Sequence, residues 1–374
     1  FNFTSPAGPA TLRVMNTFLE LDLHPYILKS LEEMKFVKPT PIQAKAIPLA
    51  FTGQDLIGTA QTGTGKTAAF SIPILTKLLA DPQATALILA PTRELAVQIT
   101  HFIRDLIGKM TGVQVTLLIG GVPIKRQVEL LKKKPRILVA TPGRLLDHLK
   151  SRKVSLDNCK ILVLDEADRM LDMGFAPQLR EIRRFLPKHR QTMLFTATMP
   201  SDMMKLSQDY LKNPVKVSAG DNSKPIKKIV QSVIETPQHL KQKVLLEQLQ
   251  KREGSVLIFL RTKHRTDKLA KFLRNERFRV ARIHGDRSQS QRESAIEGFR
   301  SGEFRILVAT DIAARGLDIS NIAHVINYDL PQMPEDYVHR IGRTARNGAE
   351  GESISLVTPE DKKAWRAIEK LIQS

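Results

Sequence analysis

Short apolar runs recur along the chain, and each gives way to a polar, glycine- or proline-bearing cluster before a helix-like stretch: residues 87–90, 137–140, 161–164 and 193–195. Continuous rather than alternating apolarity predicts strands covered on both faces, and the alternation with helices predicts a parallel sheet. After Asn213-Pro214 the rhythm lapses. Residues 218–228 are polar, hold Gly220 and Pro225 and show no apolar period, which predicts a linker. The rhythm then restarts at residues 256–259, 306–309 and 324–326. The expected fold class is therefore α/β, with two tandem doubly wound parallel-sheet domains, residues 15–217 and 229–374. Residues 1–14, rich in Gly, Pro, Ala and Ser, are expected to be a flexible leader. In open parallel sheets ligands bind beyond the carboxyl ends of the strands, so the residues just after each run are where chemistry is to be sought.

Charge narrows the search. The 374 residues carry 58 Lys plus Arg against 38 Asp plus Glu, a formal charge of +20 that makes a polyanion or an acidic membrane surface the natural partner. Neither a basic amphipathic helix nor a lipidation signal is present, and no apolar run approaches the ~18 residues of a membrane span, so nucleic acid leads. Aromatic residues are only 5 %, too few for a protein that grips bases mainly by stacking, which points to sugar and phosphate contacts. Cys159 is the only cysteine, which excludes an internal disulfide and a cysteine-based zinc site and fits a reducing cytoplasm.

Two constellations carry chemistry. Ala60-Gln61-Thr62-Gly63-Thr64-Gly65-Lys66-Thr67 fits the phosphate-loop pattern, with small Ala60 where the strict form has glycine. Gly63 and Gly65 let backbone N–H groups turn toward phosphate oxygens at a helix N-terminus, Lys66 reaches the β and γ phosphates, and Thr67 holds Mg²⁺. Read alone, the string is also that of a Gly/Thr turn capping a helix. The second constellation weighs against that alternative: residues 161–164 run into Asp165-Glu166-Ala167-Asp168, placing carboxylates at a strand's end. Asp165 is the expected Mg²⁺ partner, partly through water, and Glu166 the candidate to orient or deprotonate the attacking water. An acidic helix N-terminus favoured by the macrodipole is the plainer reading of that string.

Asp-Glu-Ala-Asp resembles the signature of the DEAD-box RNA helicases, and the similarity extends from Phe18 to about Pro359. The resemblance implies a fold of two RecA-like domains. Phe36, followed by Lys38-Pro39-Thr40-Pro41-Ile42-Gln43, is similar to the family's Q motif, in which Gln43 would hydrogen-bond adenine and Phe36 stack on it, with Phe18 the upstream aromatic; Lys35 stands where the family usually has glycine. Loops bearing Thr92 and Arg93, Gly120 and Gly121, and Thr141 and Arg144 resemble RNA contacts of the family's first domain. Thr196-Ala197-Thr198 replaces the family's Ser-Ala-Thr, which couples hydrolysis to strand separation, and the Thr196 hydroxyl is expected to keep a hydrogen bond to Asp168.

The second domain has no phosphate loop. His339-Arg340-Ile341-Gly342-Arg343-Thr344-Ala345-Arg346 resembles the family's last motif, whose later arginines, Arg343 and Arg346, meet the γ phosphate; their spacing predicts one helix face, and Ala345 replaces the more frequent glycine. By the same resemblance His339 belongs to the coupling set. Thr310, Arg315, Arg261, Gln289 and Arg292 match RNA-side signatures, and Asp318 would lie near the ribose. With ATP and Mg²⁺ as cofactors and RNA as partner, held with little sequence preference, the resemblance implies a monomeric RNA-stimulated ATPase that opens short duplexes or remodels RNA–protein complexes by domain closure. Two rivals stay in view: a clamp that closes on RNA without useful hydrolysis, and a DNA translocase on the same fold. Any protein activator is open.

Overall fold

The computed structural model describes residues 16–21, 23–60, 63–108, 112–219, 229–314, 322–345 and 351–373. The leader, residues 220–228 of the expected linker, and Arg315, Asp318 and Arg346 lie outside the described residues. The chain divides into two units, one ending at Gly220 and the other starting at Asp221. Each is described by itself.

The first unit holds a seven-stranded sheet. Its strands are β1 Leu56–Thr59, β2 Thr85–Leu89, β3 Val115–Leu118, β4 Ile137–Ala140, β5 Cys159–Leu164, β6 Gln191–Thr196 and β7 Val215–Ser218, arranged β3-β4-β2-β5-β6-β1-β7 with every pairing parallel. Ser218, expected to start the linker, is the last residue of β7, and the pairing runs on as Ala219 N donates to Thr59 O (3.1 Å). The apolar runs are continuous because their residues alternate between two cores. Ala86 and Ile88 face one cluster while Leu87 and Leu89 face the other, so helices must cover both sides. The β3 and β7 strands were not evident from the apolar pattern. They are the edges, and burial alternates or varies along them.

The second unit carries β8 Ile229–Glu235, β9 Val256–Leu260, β10 Val280–Ile283, β11 Ile306–Thr310, β12 His324–Asn327 and β13 Gly351–Val357 in the order β10-β11-β9-β12-β13-β8, again all parallel. Along β9, Val256, Ile258 and Leu260 face one core and Leu257 and Phe259 the other. Counting strands from the start of each unit, the two orders are identical once β7 is set aside. Among the described residues, no helix is long and apolar enough to cross a membrane.

Candidate nucleotide and nucleic-acid site

Sheet order sorts the loops of the first unit. β3, β4 and β2 lie side by side, so the loops bearing Gly120-Gly121, Thr141-Arg144 and Thr92-Arg93 leave adjacent strand ends; β1, which feeds the phosphate loop, lies beyond β5 and β6. The three adjacent loops brace one another. Arg93 packs so close to Gly120 that a Cβ there would lie 3.1 Å from its guanidinium, and Arg144 Nη1 donates to Val122 O (2.7 Å). Thr92 caps the helix Arg93–Ile107 by accepting from Leu95 N (3.2 Å), and Thr141 precedes the helix Pro142–Lys150.

In the phosphate loop Gly63 and Gly65 adopt φ of 85° and 88°, the left-handed region where a side chain is strained. At Gly65 a Cβ would also run into the Gln43 amide. Gln43 is buried, with Oε1 accepting from Thr40 N (2.9 Å) and Nε2 donating to Gly65 O (3.0 Å), while Thr40 Oγ1 donates to Thr64 O (2.8 Å). The glutamine expected to read adenine thus also ties its own helix to the loop. Its second N–H and the second lone pair of its oxygen are what a base can use. Lys66 opens the helix Lys66–Ala80, and its Nζ donates back to Ala60 O (2.9 Å), an interaction a phosphate oxygen can replace. Thr67 follows, half-buried.

Phe36 is half-buried between Phe18 and Phe102, edge to face at 6.2 and 5.8 Å. The turn before it is a Schellman cap: Phe36 N donates to Leu31 O (2.8 Å), Lys35 N to Glu32 O (2.9 Å), and Lys35 takes φ 60°. The place where the family usually has glycine is therefore left-handed here too, with a lysine in it.

The carboxylates at the end of β5 are buried. Asp165 is 2 % and Glu166 3 % exposed. Burial pushes the Asp165 carboxyl up to about 6; the Lys66 ammonium opposes this and the Glu166 carboxylate adds to it. A site this short of positive charge suits a divalent cation. Asp165 and the Thr67 hydroxyl are oxygen donors of the kind a hard divalent cation takes, with phosphate oxygens and water able to complete its shell. Glu166 sits at φ 50°, ψ 51°, an uncommon conformation for a residue with a side chain. Its N–H donates to Asp165 Oδ1 (3.0 Å), its O accepts from Met170 N (3.2 Å), and its Oε2 accepts from Arg169 Nη1 (3.0 Å), an ion pair with both side chains 4 % exposed. Arg169 went unnoticed in the sequence. Its signal was the i, i+3 spacing from Glu166.

Asp168 joins β5 to β6. Its Oδ2 accepts from Ala197 N (3.0 Å), Thr198 N (3.0 Å) and Thr198 Oγ1 (3.1 Å). The expected bond from Thr196 is corrected: its hydroxyl donates to Thr198 O (2.7 Å), because at 0 % exposure it points into the strand end while Thr198 stands over the carboxylate.

In the second unit β10, β11 and β9 are likewise adjacent, so the loops after them are neighbours: His284-Gly285-Asp286, Thr310 at the end of β11, and Arg261-Thr262. Arg261 is exposed. Gln289 and Arg292 are buried instead. Arg292 Nη1 donates to His284 O (3.1 Å), which ties it to the loop, and Gln289 Nε2 donates to Glu293 Oε1 (3.0 Å) within its own helix. The helix-face expectation for Arg343 is also corrected. The helix Pro334–Ile341 ends at Gly342, Thr344 bridges to Ile322, and Ala345 turns left-handed at φ 56°, a residue glycine would suit. Arg343 is buried and lines a narrow cleft with Asp311, Asp336 and His339. Arg340, to which the sequence alone gave no role, is the bolt of this region: it pairs bidentately with Asp311 (2.6 and 2.7 Å), reaches Asn327 Oδ1 (3.1 Å), and lies over the Phe259 ring at 4.9 Å.

The strand order and site define one parallel α/β unit with a phosphate loop followed by a second built on the same plan without it. The model of the DEAD/DEAH box helicases matches residues 40–206, and that of the helicase conserved C-terminal domain matches residues 237–348. The chain belongs to the DEAD-box helicase family. It is 47 % identical over 364 residues to the ATP-dependent rRNA helicase rrp3 of Aspergillus terreus, covering 96 % of this chain and 81 % of that one, and 43 % identical over 359 residues to the DEAD-box ATP-dependent RNA helicase RhpA of Helicobacter pylori, covering 96 % and 73 %. Among solved structures, Dbp5 of S. cerevisiae bound to RNA and ADP BeF3 superposes with a TM-score of 0.84 at 34 % identity, over 96 % of this chain and 93 % of that one.

Proposed function

We propose that this chain is an ATP-dependent RNA helicase, an RNA-stimulated ATPase whose turnover opens short duplexes or remodels RNA–protein complexes. One observation carries the reading. The Asp168 carboxylate clasps Ala197 and Thr198 at the middle of the sheet, with the phosphate loop beyond β6 on one side and the Thr92, Gly120 and Thr141 loops beyond β5 on the other. A change at the nucleotide therefore has a short bonded route toward the strand ends that meet RNA.

In this reading Phe18, Phe36 and Gln43 receive adenine, and Gly63, Thr64, Gly65 and Lys66 receive the phosphates. Thr67 and Asp165 hold Mg²⁺, which supplies positive charge to the phosphate oxygens. Glu166 takes the proton of the attacking water, and Arg169 keeps that carboxylate aimed. Arg343 and Arg346 stabilise the charge on the transferring phosphoryl group, and Asp318 meets the ribose. Hydrolysis then requires both units, since water activation belongs to one and charge neutralisation to the other. Thr92, Arg93, Gly120, Gly121, Thr141, Arg144, Arg261, Gln289, Arg292, Thr310 and Arg315 serve RNA backbone binding, Arg292 also tying the His284 loop. Charge-driven backbone contacts make binding salt-dependent and weakly sequence-selective. A monomer in the cytoplasm completes the reading.

The deciding experiment measures ATP turnover with single-stranded RNA, duplex RNA and DNA at two salt concentrations. Stimulation by RNA that fades at the higher salt is the expected result. Equal stimulation by DNA turns the reading toward a translocase, and binding without turnover turns it toward a clamp.

A further inference from the structure

The second unit, which has no phosphate loop, carries a buried ionic network beyond the ends of its strands. The equivalence between the units reaches individual bonds. Asp165 N donates to Leu89 O (3.0 Å) and Asp329 N to Phe259 O (3.2 Å), and the threonines that cap the following helices, Thr92 and Thr262, stand at the same distance along the chain from Leu89 and Phe259. By that bond Asp329 corresponds to Asp165, while the strand register, Leu89 with Leu164 and Phe259 with Asn327, sets Tyr328 at that place, one residue earlier. Lys241 belongs to the helix Lys241–Gln250 that follows β8, as Lys66 belongs to the helix that follows β1, but the turn Gln238–Leu240 leads directly into it in place of a phosphate loop.

This lysine is sealed. Its side chain is 1 % exposed, and Nζ donates to Tyr328 O (2.8 Å), lying 3.9 Å from Asp329 Oδ1 and 3.5 Å from Asp361 Oδ2. Asp361, from the turn Pro359–Asp361, supplies the anion that a phosphate supplies elsewhere. From this buried centre the network runs outward. Arg261 N donates to Asp329 Oδ2 (3.1 Å), the Arg261 guanidinium meets Asp361 Oδ1 (3.6 Å) and Leu330 O (3.3 Å), and Arg265 meets Asp329 Oδ1 (2.8 Å). The two arginines are 40 % and 39 % exposed at the side chain, so the outer end of the network faces solvent.

We infer that this buried network is the mount for an RNA contact: Lys241 is a positioning residue that, through Asp329 and Asp361, fixes Arg261 beyond the end of β9. The inference rests on the reading of Arg261 as an RNA-contacting residue. Burial disfavours the charged lysine while Asp329 and Asp361 favour it, and a buried ionic network of this kind is best attested as a device for fixing geometry rather than for adding stability. Phosphate contacts act by setting the register of the strand, so a correctly held arginine contributes more than a tethered one.

The test is RNA-stimulated ATPase, titrated with single-stranded oligouridylate, for Arg261→Ala, Asp361→Asn, Lys241→Met and the double variant Arg261→Ala/Asp361→Asn, each checked for folding by thermal melting. Asp361→Asn is expected to raise the KM for RNA about fivefold and to flatten the salt dependence by about one ion, with the KM for ATP unmoved. The double variant should be no worse than Arg261→Ala alone. Should Lys241→Met fail to fold, Asp361→Asn carries the result, since its carboxylate is partly exposed. If Arg261→Ala raises the KM for RNA but the folded Asp361→Asn and Lys241→Met do not, or if the double variant is additive, the mount is refuted and the role of Arg261 stands. If Arg261→Ala itself leaves the KM for RNA unchanged, that role falls and the mount with it.

Discussion

The two units are the same sheet used for two purposes. Both place a helix-capping threonine, Thr92 or Thr262, one strand away from an aspartate, Asp165 or Asp329, and both gather three loops at the ends of three adjacent strands. They part after the first strand. β1 leads to Gly63 and Gly65 in left-handed conformations and a lysine that can be won by a phosphate; β8 leads to Thr236-Pro237 and a lysine locked between two carboxylates. The strand order sets where a residue stands, while the loop decides whether that place is open to a ligand.

The sharpest way to break the contrast is to remove the charge that the second unit contributes. Arg346→Ala is expected to lower RNA-stimulated turnover by about 10³-fold or more with the KM for ATP near its starting value; steady-state kinetics with saturating RNA decide, and retained stimulation means that the second unit is no part of the chemistry. Next comes the first unit's own share. Glu166→Gln should reduce kcat by about 10²- to 10⁴-fold while ATP and RNA still bind, and an unchanged kcat takes the glutamate out of the mechanism. Phe36→Ala should raise the KM for ATP by about two- to tenfold, the worth of one aromatic contact. An unmoved KM would leave the ring as packing against Phe18 and Phe102.

The smallest effects compare the units on equal terms. Each carries a left-handed residue with a side chain where its family more often has glycine, Lys35 in one and Ala345 in the other. Left-handed backbone costs a residue with a side chain about 1–2 kcal/mol, less what glycine gives back to the unfolded chain, so Lys35→Gly and Ala345→Gly should each stabilise their unit by about 0.5–1 kcal/mol. A rise of about 2–4 °C per kcal/mol in the melting of that unit is the readout; a fall at either site would mean that its side chain makes a contact worth more than the strain.

Much of this molecule was legible in residue order. Buried parallel strands announce themselves as unbroken apolar runs, and the polar strings after them are local chemistry, which is why Lys66, Asp165, Glu166 and Asp168 could be named from spacing. What spacing cannot carry is adjacency. Nothing along the chain says that β4 lies between β3 and β2, that Thr198 rather than Thr196 meets Asp168, or that the helix bearing Arg340 stops before Arg343. Nor does it mark Lys241, whose importance comes from Asp329 and Asp361, residues far along the chain. Hydrophobic period and turn chemistry act between near neighbours and are written in the sequence; the pairing of charges and the closing of a pocket act through space, and only the packed sheet brings those partners together.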